Sequence, residues 1–256
     1  MMSFITFFKK EILEQIRTKR LMIVGMLFVF FGIMNPLTAK ITPALLELFA
    51  DSMENSGIII EGVEITALDS WMQFFKNFPT LLIAFILLES SLFSKEYQNG
   101  TLTLVLTKGF ERYKIVVSKF LVISLIWTIG YVLYTVITYG YTVYYWDNSI
   151  VKNLLFSILI CWIFGLFVVS LFTLITANIE SSGGTLALTG GIIFALYMIS
   201  LIPKFSKYLP TLLIDGNSLV YGLKECSYYI PSMIITILLI VMMLLGSIFT
   251  FNKKKI

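Results

Sequence analysis

The chain has no histidine, only two cysteines and few charges: 13% of its 256 residues are Asp, Glu, Lys or Arg. The missing histidine removes the commonest general base and the commonest metal ligand. Cys161 and Cys226 lie far apart and form no C-x-x-C pair, so no disulfide framework or zinc site is written in them. The charge content is about half of the roughly 25% that a soluble domain carries. The chain therefore lacks the ionic surface that water demands. It also lacks a G-x-x-x-x-G-K-[ST] phosphate loop and a G-x-G-x-x-G turn, which excludes a conventional nucleotide site. Nucleic-acid binding would need a basic soluble face, and none is present. A membrane-embedded enzyme ranks last among the readings, because polar groups inside the apolar runs are so scarce.

What the chain does have is hydrophobic length. Apolar residues make up 58% of it, and the mean hydropathy is +0.90. A membrane-spanning helix needs about 20 apolar residues. Six intervals meet that requirement: about 21–39, 71–93, 115–146, 153–179, 181–203 and 226–252. The first is expected to end near Asn35 and Pro36, and 43–49 to form a separate short helix. Aromatic residues gather at the interval ends (Trp71, Phe74 and Phe75; Tyr139 to Trp146; Tyr228 and Tyr229), as in an interfacial belt. No short alternating segments suggest a β-barrel. The expected fold is all-α: a polytopic membrane protein forming one transmembrane domain over 1–256.

Residues 1–20 read as an amphipathic helix lying along the membrane surface. Phe4, Phe7, Phe8, Ile12 and Ile16 form its apolar stripe, with Lys9, Lys10, Glu11, Glu14, Arg17, Lys19 and Arg20 on the remaining surface. Further basic residues cluster in 94–119 (Lys95, Lys108, Arg112, Lys114, Lys119) and at Lys253, Lys254 and Lys255. The other lysines (Lys40, Lys76, Lys152, Lys204, Lys207, Lys224) are scattered over the opposite pieces. Segment 41–70 there carries Glu47, Asp51, Glu54, Glu61, Glu64 and Asp69 with no basic residue. This bias predicts both termini in the cytoplasm and 41–70 as an external segment.

Two features inside or beside the spans stand out. Glu89 interrupts the second interval. It either marks an ion or proton pathway or lies near enough to the surface to reach water, a basic residue or a partner. Gly184 and Gly191 are one heptad apart, and small residues there permit close helix contact. The loop after the second interval is the most informative stretch. It is polar at its ends (Lys95, Glu96, Asn99; Lys108, Arg112) and apolar in the middle (Leu102, Leu104, Val105, Leu106). Asn99 or Thr101 would cap a short helix parallel to the membrane and Gly109 would stop it, leaving a docking surface for a soluble partner.

Glu96-x-x-x-Gly100-Thr101, then Leu104-x-Leu106, then Arg112 and Lys119 resemble the E-x-x-x-G-T…L-L…R…K signature of ABC-2 type transporter permeases. It falls between spans two and three of six. The opening Phe7-Phe8-Lys9-Lys10-Glu11 with Arg17-Thr18-Lys19-Arg20 resembles that family's N-terminal interfacial helix. The usual proline before the arginine is replaced by Lys108-Gly109-Phe110. In length and organisation the chain also resembles small permeases of Gram-positive peptide exporters, including the phenol-soluble modulin type.

The resemblance implies a permease subunit that exports an amphipathic or hydrophobic cargo, peptides included, from a bacterial plasma membrane. It implies no cofactor on this chain, with ATP and Mg on a separate ATP-binding cassette subunit. It implies a second permease copy or paralogue, with the homodimer favoured. Coupling to the ATPase would fall to Glu96, Gly100, Thr101, Leu102, Leu104, Val105 and Arg112, with Arg112 anchoring the return to the membrane through phosphate or carboxylate. The alternative is an ion-coupled secondary transporter or a channel, which Glu89 and the lack of an ATP site motivate.

Overall fold

The computed structural model describes residues 4–54, 64–90, 106–107 and 110–254. Among them there is no strand. Seven long helices carry the fold: α1 (Phe4–Arg17), α2 (Arg20–Glu54), α3 (Ala67–Glu89), α4 (Arg112–Tyr145), α5 (Leu154–Asn178), α6 (Ser182–Ser200) and α7 (Ile230–Lys253). Six segments are long and apolar enough to cross a membrane: Arg20–Ala44, Ala67–Glu89, Arg112–Tyr145, Leu154–Asn178, Ser182–Ser200 and Cys226–Lys253. Because the spans alternate in direction, α1, the start of α4 and the end of α7 share one end of the bundle, called here the terminal end.

Local chemistry sets the helix starts. The Asp69 carboxylate accepts the Thr66 backbone N–H at 2.8 Å, and the Ser181 hydroxyl accepts the Gly184 N–H at 3.2 Å. Asn153 stands before α5 with φ of 48°, a left-handed conformation that asparagine tolerates. Between α1 and α2 the chain turns through Lys19, whose φ is 57°.

One expectation fails at Pro36. Helix α2 does not stop there but runs on to Glu54 with Pro36 and Pro43 inside it, so 43–49 is no separate helix. Proline lacks the N–H that would bond the carbonyl four residues back, which here belongs to Gly32. The Thr138 hydroxyl of α4 donates to that carbonyl at 3.1 Å. Asn35 donates to Thr138 at 3.0 Å, and Asn77 of α3 donates to Asn35 at 2.9 Å. A neighbouring helix thus satisfies the group that proline freed, which lets a membrane helix continue past it.

Helix α5 is the buried centre, packed most extensively against α7 and also against α4 and α6. Rings fill the layer between α2, α3 and α4. Phe74 stacks on Tyr134 with centroids 4.3 Å apart, and Trp127 meets Phe28, Phe78, Phe85 and Tyr131. Tyr134 donates to the Phe74 carbonyl at 2.8 Å, so its polar tip is satisfied inside the ring cluster. After α6 the chain does not leave the bundle. Residues 201–229 fold back through short helical turns at Pro203–Ser206, Pro210–Ile214, Asn217–Val220 and Cys226–Tyr229. Leu213, Leu219 and Val220 are buried there, and Cys161 of α5 donates to the Leu213 carbonyl at 3.3 Å.

Candidate functional site

At the terminal end α1 does not simply rest on the bundle. Its stripe Phe7, Glu11, Gln15 repeats every four residues and is buried throughout, while Ile5, Leu13 and Ile16 are exposed. Ile16, expected on the apolar stripe, is 52% exposed, and Glu11, expected on the polar surface, is 1% exposed. The helix is rotated because Glu11 and Gln15 have buried partners, which leaves aliphatic side chains facing outward. That outer face suits a membrane surface.

The Lys119 ammonium of α4 donates to Glu11 Oε2 at 2.9 Å with both side chains buried, and Lys10 reaches Glu11 Oε1 at 3.1 Å. One turn further along α1, Gln15 Nε2 donates to Glu89 Oε2 at 2.8 Å. Glu89 is the last residue of α3 and is fully buried. Helix α1 therefore ties α4 through an ion pair and α3 through an amide–carboxyl contact. Glu89 Oε1 and Gln15 Oε1 have no hydrogen-bond partner among the described residues.

Below this polar layer a second, apolar contact joins α1 to the chain that enters α4. Phe7 stacks on Phe110 with centroids 5.0 Å apart. Ile115, Val116, Ala177 and Phe251 complete the cluster, with Leu106 and Ile248 packed on it. Arg112 opens α4. It donates to the carbonyls of Phe251 and Asn252, each at 3.4 Å, and to that of Lys254. These are the carbonyls at the end of α7, where a helix presents its partial negative charge. Through Nη1, Arg112 thus holds a helix terminus of its own chain. Beside it the Glu111 carboxyl lies below the usual carboxylate range, chiefly through its hydrogen bond with Lys114, which approaches to 2.7 Å. Lys254 in turn reaches Glu180 at 3.3 Å.

Of the residues the sequence pointed to, Arg112 and Glu89 are described, and Lys119 joins them. Glu96, Gly100, Thr101, Leu102, Leu104 and Val105 lie outside the described residues. Reading the sequence missed Glu11 and Gln15. Their signal was available: two polar residues continue the i, i+4 row that starts at Phe7, so the row alone argues for burial. No group of three or more metal-ligating side chains occurs among the described residues.

A bundle of six apolar helices, tied at one end by α1, defines a polytopic α-helical membrane protein. Residues 5–210 match the model of the ABC-2 family transporter proteins. The chain belongs to this family and is a membrane transport subunit, a class that pairs in general with an ATP-binding cassette subunit and is not itself catalytic. No curated protein matches the chain.

Proposed function

We propose that the chain is the permease of an exporter in which a separate ATPase, carrying ATP and Mg, docks on segment 94–114 and two permease copies pair around the path. The terminal end faces the cytoplasm of a bacterial cell, in keeping with the basic residues of 1–20, 94–119 and 253–255. The cargo is amphipathic or hydrophobic, peptides included. One observation carries the reading. The segment leads into Phe110, which stacks on Phe7 one turn from the Glu11–Lys119 ion pair. A push on 94–110 would thus reach α1, and through α1 both α3 and α4. Glu96 would pair with a basic group, Gly100 would permit a tight turn, Thr101 would cap the short helix, and Leu102, Leu104 and Val105 would face the ATPase.

In vesicles containing permease and ATPase, ATP should drive cargo movement and cargo should stimulate hydrolysis. Replacing Gly100 by Val, or reversing charge with Glu96→Lys, should lower both together by an order of magnitude while insertion is unchanged. Normal coupling in both variants would overturn the assignment of the segment. The second reading, ion-coupled transport, draws on the buried Glu89 with its unpartnered oxygen. It requires transport that follows an ion gradient without ATP and stops in Glu89→Gln.

A further inference from the structure

Three polar side chains share one face of α3 inside its span: Gln73, Lys76 and Thr80, spaced so that each lies a turn from the next. Lys76 and Thr80 are exposed, and the same face continues through Ile83 and Leu87. The opposite face of α3 is the one its own bundle uses, with Trp71, Phe74, Phe78 and Phe85 buried. No hydrogen bond or ion pair joins Gln73, Lys76 or Thr80 to another side chain among the described residues.

Lys76 lies in the outer part of the span. It lies about 13 Å along the helix from Ala67 at a rise of about 1.5 Å per residue. Its neighbour Asn77 bonds Asn35 of α2, which lies about 7 Å along that helix below Lys40. Lys40 marks the interfacial belt, since its ammonium sits 3.8 Å from the centre of the Tyr145 ring. The Lys76 stem leans towards the outer end, so its ammonium and the Gln73 amide sit near the belt, with the Thr80 hydroxyl one turn deeper. The bundle's own interior lies on the other side of α3. In the paired-exporter reading this face lines the path between the copies.

Immediately beyond Thr80, towards the terminal end, a cavity of about 190 Å³ opens between α3, α5 and α6. Its walls include Ile83, Ile86, Phe164, Val168 and Ile193 and carry no charge, and Ile214 of the folded-back segment also lines it. In a helix the Cα–Cβ bonds lean towards the N-terminus, so the Lys76 stem points away from this cavity. Polar head groups and apolar walls are therefore stacked in sequence along one helix face.

We propose that Gln73, Lys76 and Thr80 form a head site, and the cavity between α3, α5 and α6 a tail site, for an amphiphile carrying a single anionic group, carboxylate or phosphate. The ammonium selects the anion, and the amide and hydroxyl donate to its remaining oxygens. The uncharged cavity accepts an aliphatic chain and rejects a charged one. This rests on the paired-exporter reading and narrows its cargo to anionic amphiphiles.

The test uses the purified full chain in nanodiscs of zwitterionic lipid, with dodecyl phosphate and dodecanoate as probes. Dodecyltrimethylammonium and inorganic phosphate serve as controls. Saturable binding, read by calorimetry, is expected for both anionic probes and for neither control. Lys76→Gln should weaken it about tenfold or more, the scale of a lost charged hydrogen bond, and Lys76→Arg should retain it. Ile83→Trp, which fills the cavity mouth, should weaken it as well. Equal affinity in Lys76→Gln, or equally tight binding of the cationic probe, would overturn the head site.

A lysine that merely reaches the surface through lipid is distinguished by labelling. With Cys161 and Cys226 replaced by serine, Lys76→Cys should react with a membrane-impermeant anionic thiol reagent, and dodecyl phosphate should block the reaction. No reaction overturns the proposal. Binding and labelling need neither nucleotide nor ATPase, so a failed head site leaves ATP-driven transport to be judged by itself. A failure to couple would leave the measured affinities as they are.

Discussion

Replacing Lys119 by methionine is expected to cost a large part of the permease's stability margin. Lys119 and Glu11 are buried together at 2.9 Å. Removing one member of such a pair leaves the other charge in a poorly solvating interior, at a cost of about 3–5 kcal/mol. Lys10 still reaches the other Glu11 oxygen at 3.1 Å, which places the expected loss near the lower end of that range. A folded domain is stable by only about 5–15 kcal/mol, so the change is large. The double variant Glu11→Leu with Lys119→Met removes both charges and should recover most of the loss, because replacing a whole buried pair with apolar groups is often neutral. Unfolding in detergent would measure this. A single variant as stable as the parent, or a double variant no better than the single, would contradict the role given to the pair. The double variant also separates folding from coupling: if α1 transmits force through this pair, it should fold yet couple poorly.

Gly165→Leu should abolish correctly packed protein, for a steric reason. A Cβ at Gly165 of α5 would fall on the indole of Trp127 in α4. Trp127 cannot retreat, since Phe28, Phe78 and Phe85 surround it and Tyr131 stacks on it at 5.5 Å. Overpacking a filled core costs about 1–3 kcal/mol for modest additions, and a whole side chain driven into a ring should exceed that. Small residues at helix contacts are what let membrane helices approach so closely. The compensated pair Gly165→Ala with Trp127→Phe should return part of the monodisperse protein on size exclusion. Full yield of Gly165→Leu by itself would mean that α4 and α5 do not meet as described.

The gross architecture was legible in the sequence because lipid imposes a simple rule. A helix that crosses it must be apolar over about 20 residues, and the charge-poor runs mark that directly. What stayed hidden depends on contacts between distant parts of the chain. Pro36 looked like a terminus because the donor that rescues the Gly32 carbonyl is Thr138, on another helix. Glu11 looked solvated because Lys119, its partner, sits more than a hundred positions away. Arg112 also reaches the carbonyls ending α7, which no local pattern announces.

Docking of an ATPase on segment 94–114 is tested most directly by a site-specific crosslink. With Cys161 and Cys226 removed, a cysteine replaces Leu104, or in turn each position from 100 to 108, in the assembled complex of permease and ATPase. The expected result is a crosslink to the ATPase surface at one or more of these positions, with bulky thiol reagents excluded there. Free access of those reagents at every position, with no crosslink anywhere from 100 to 108, would contradict the docking.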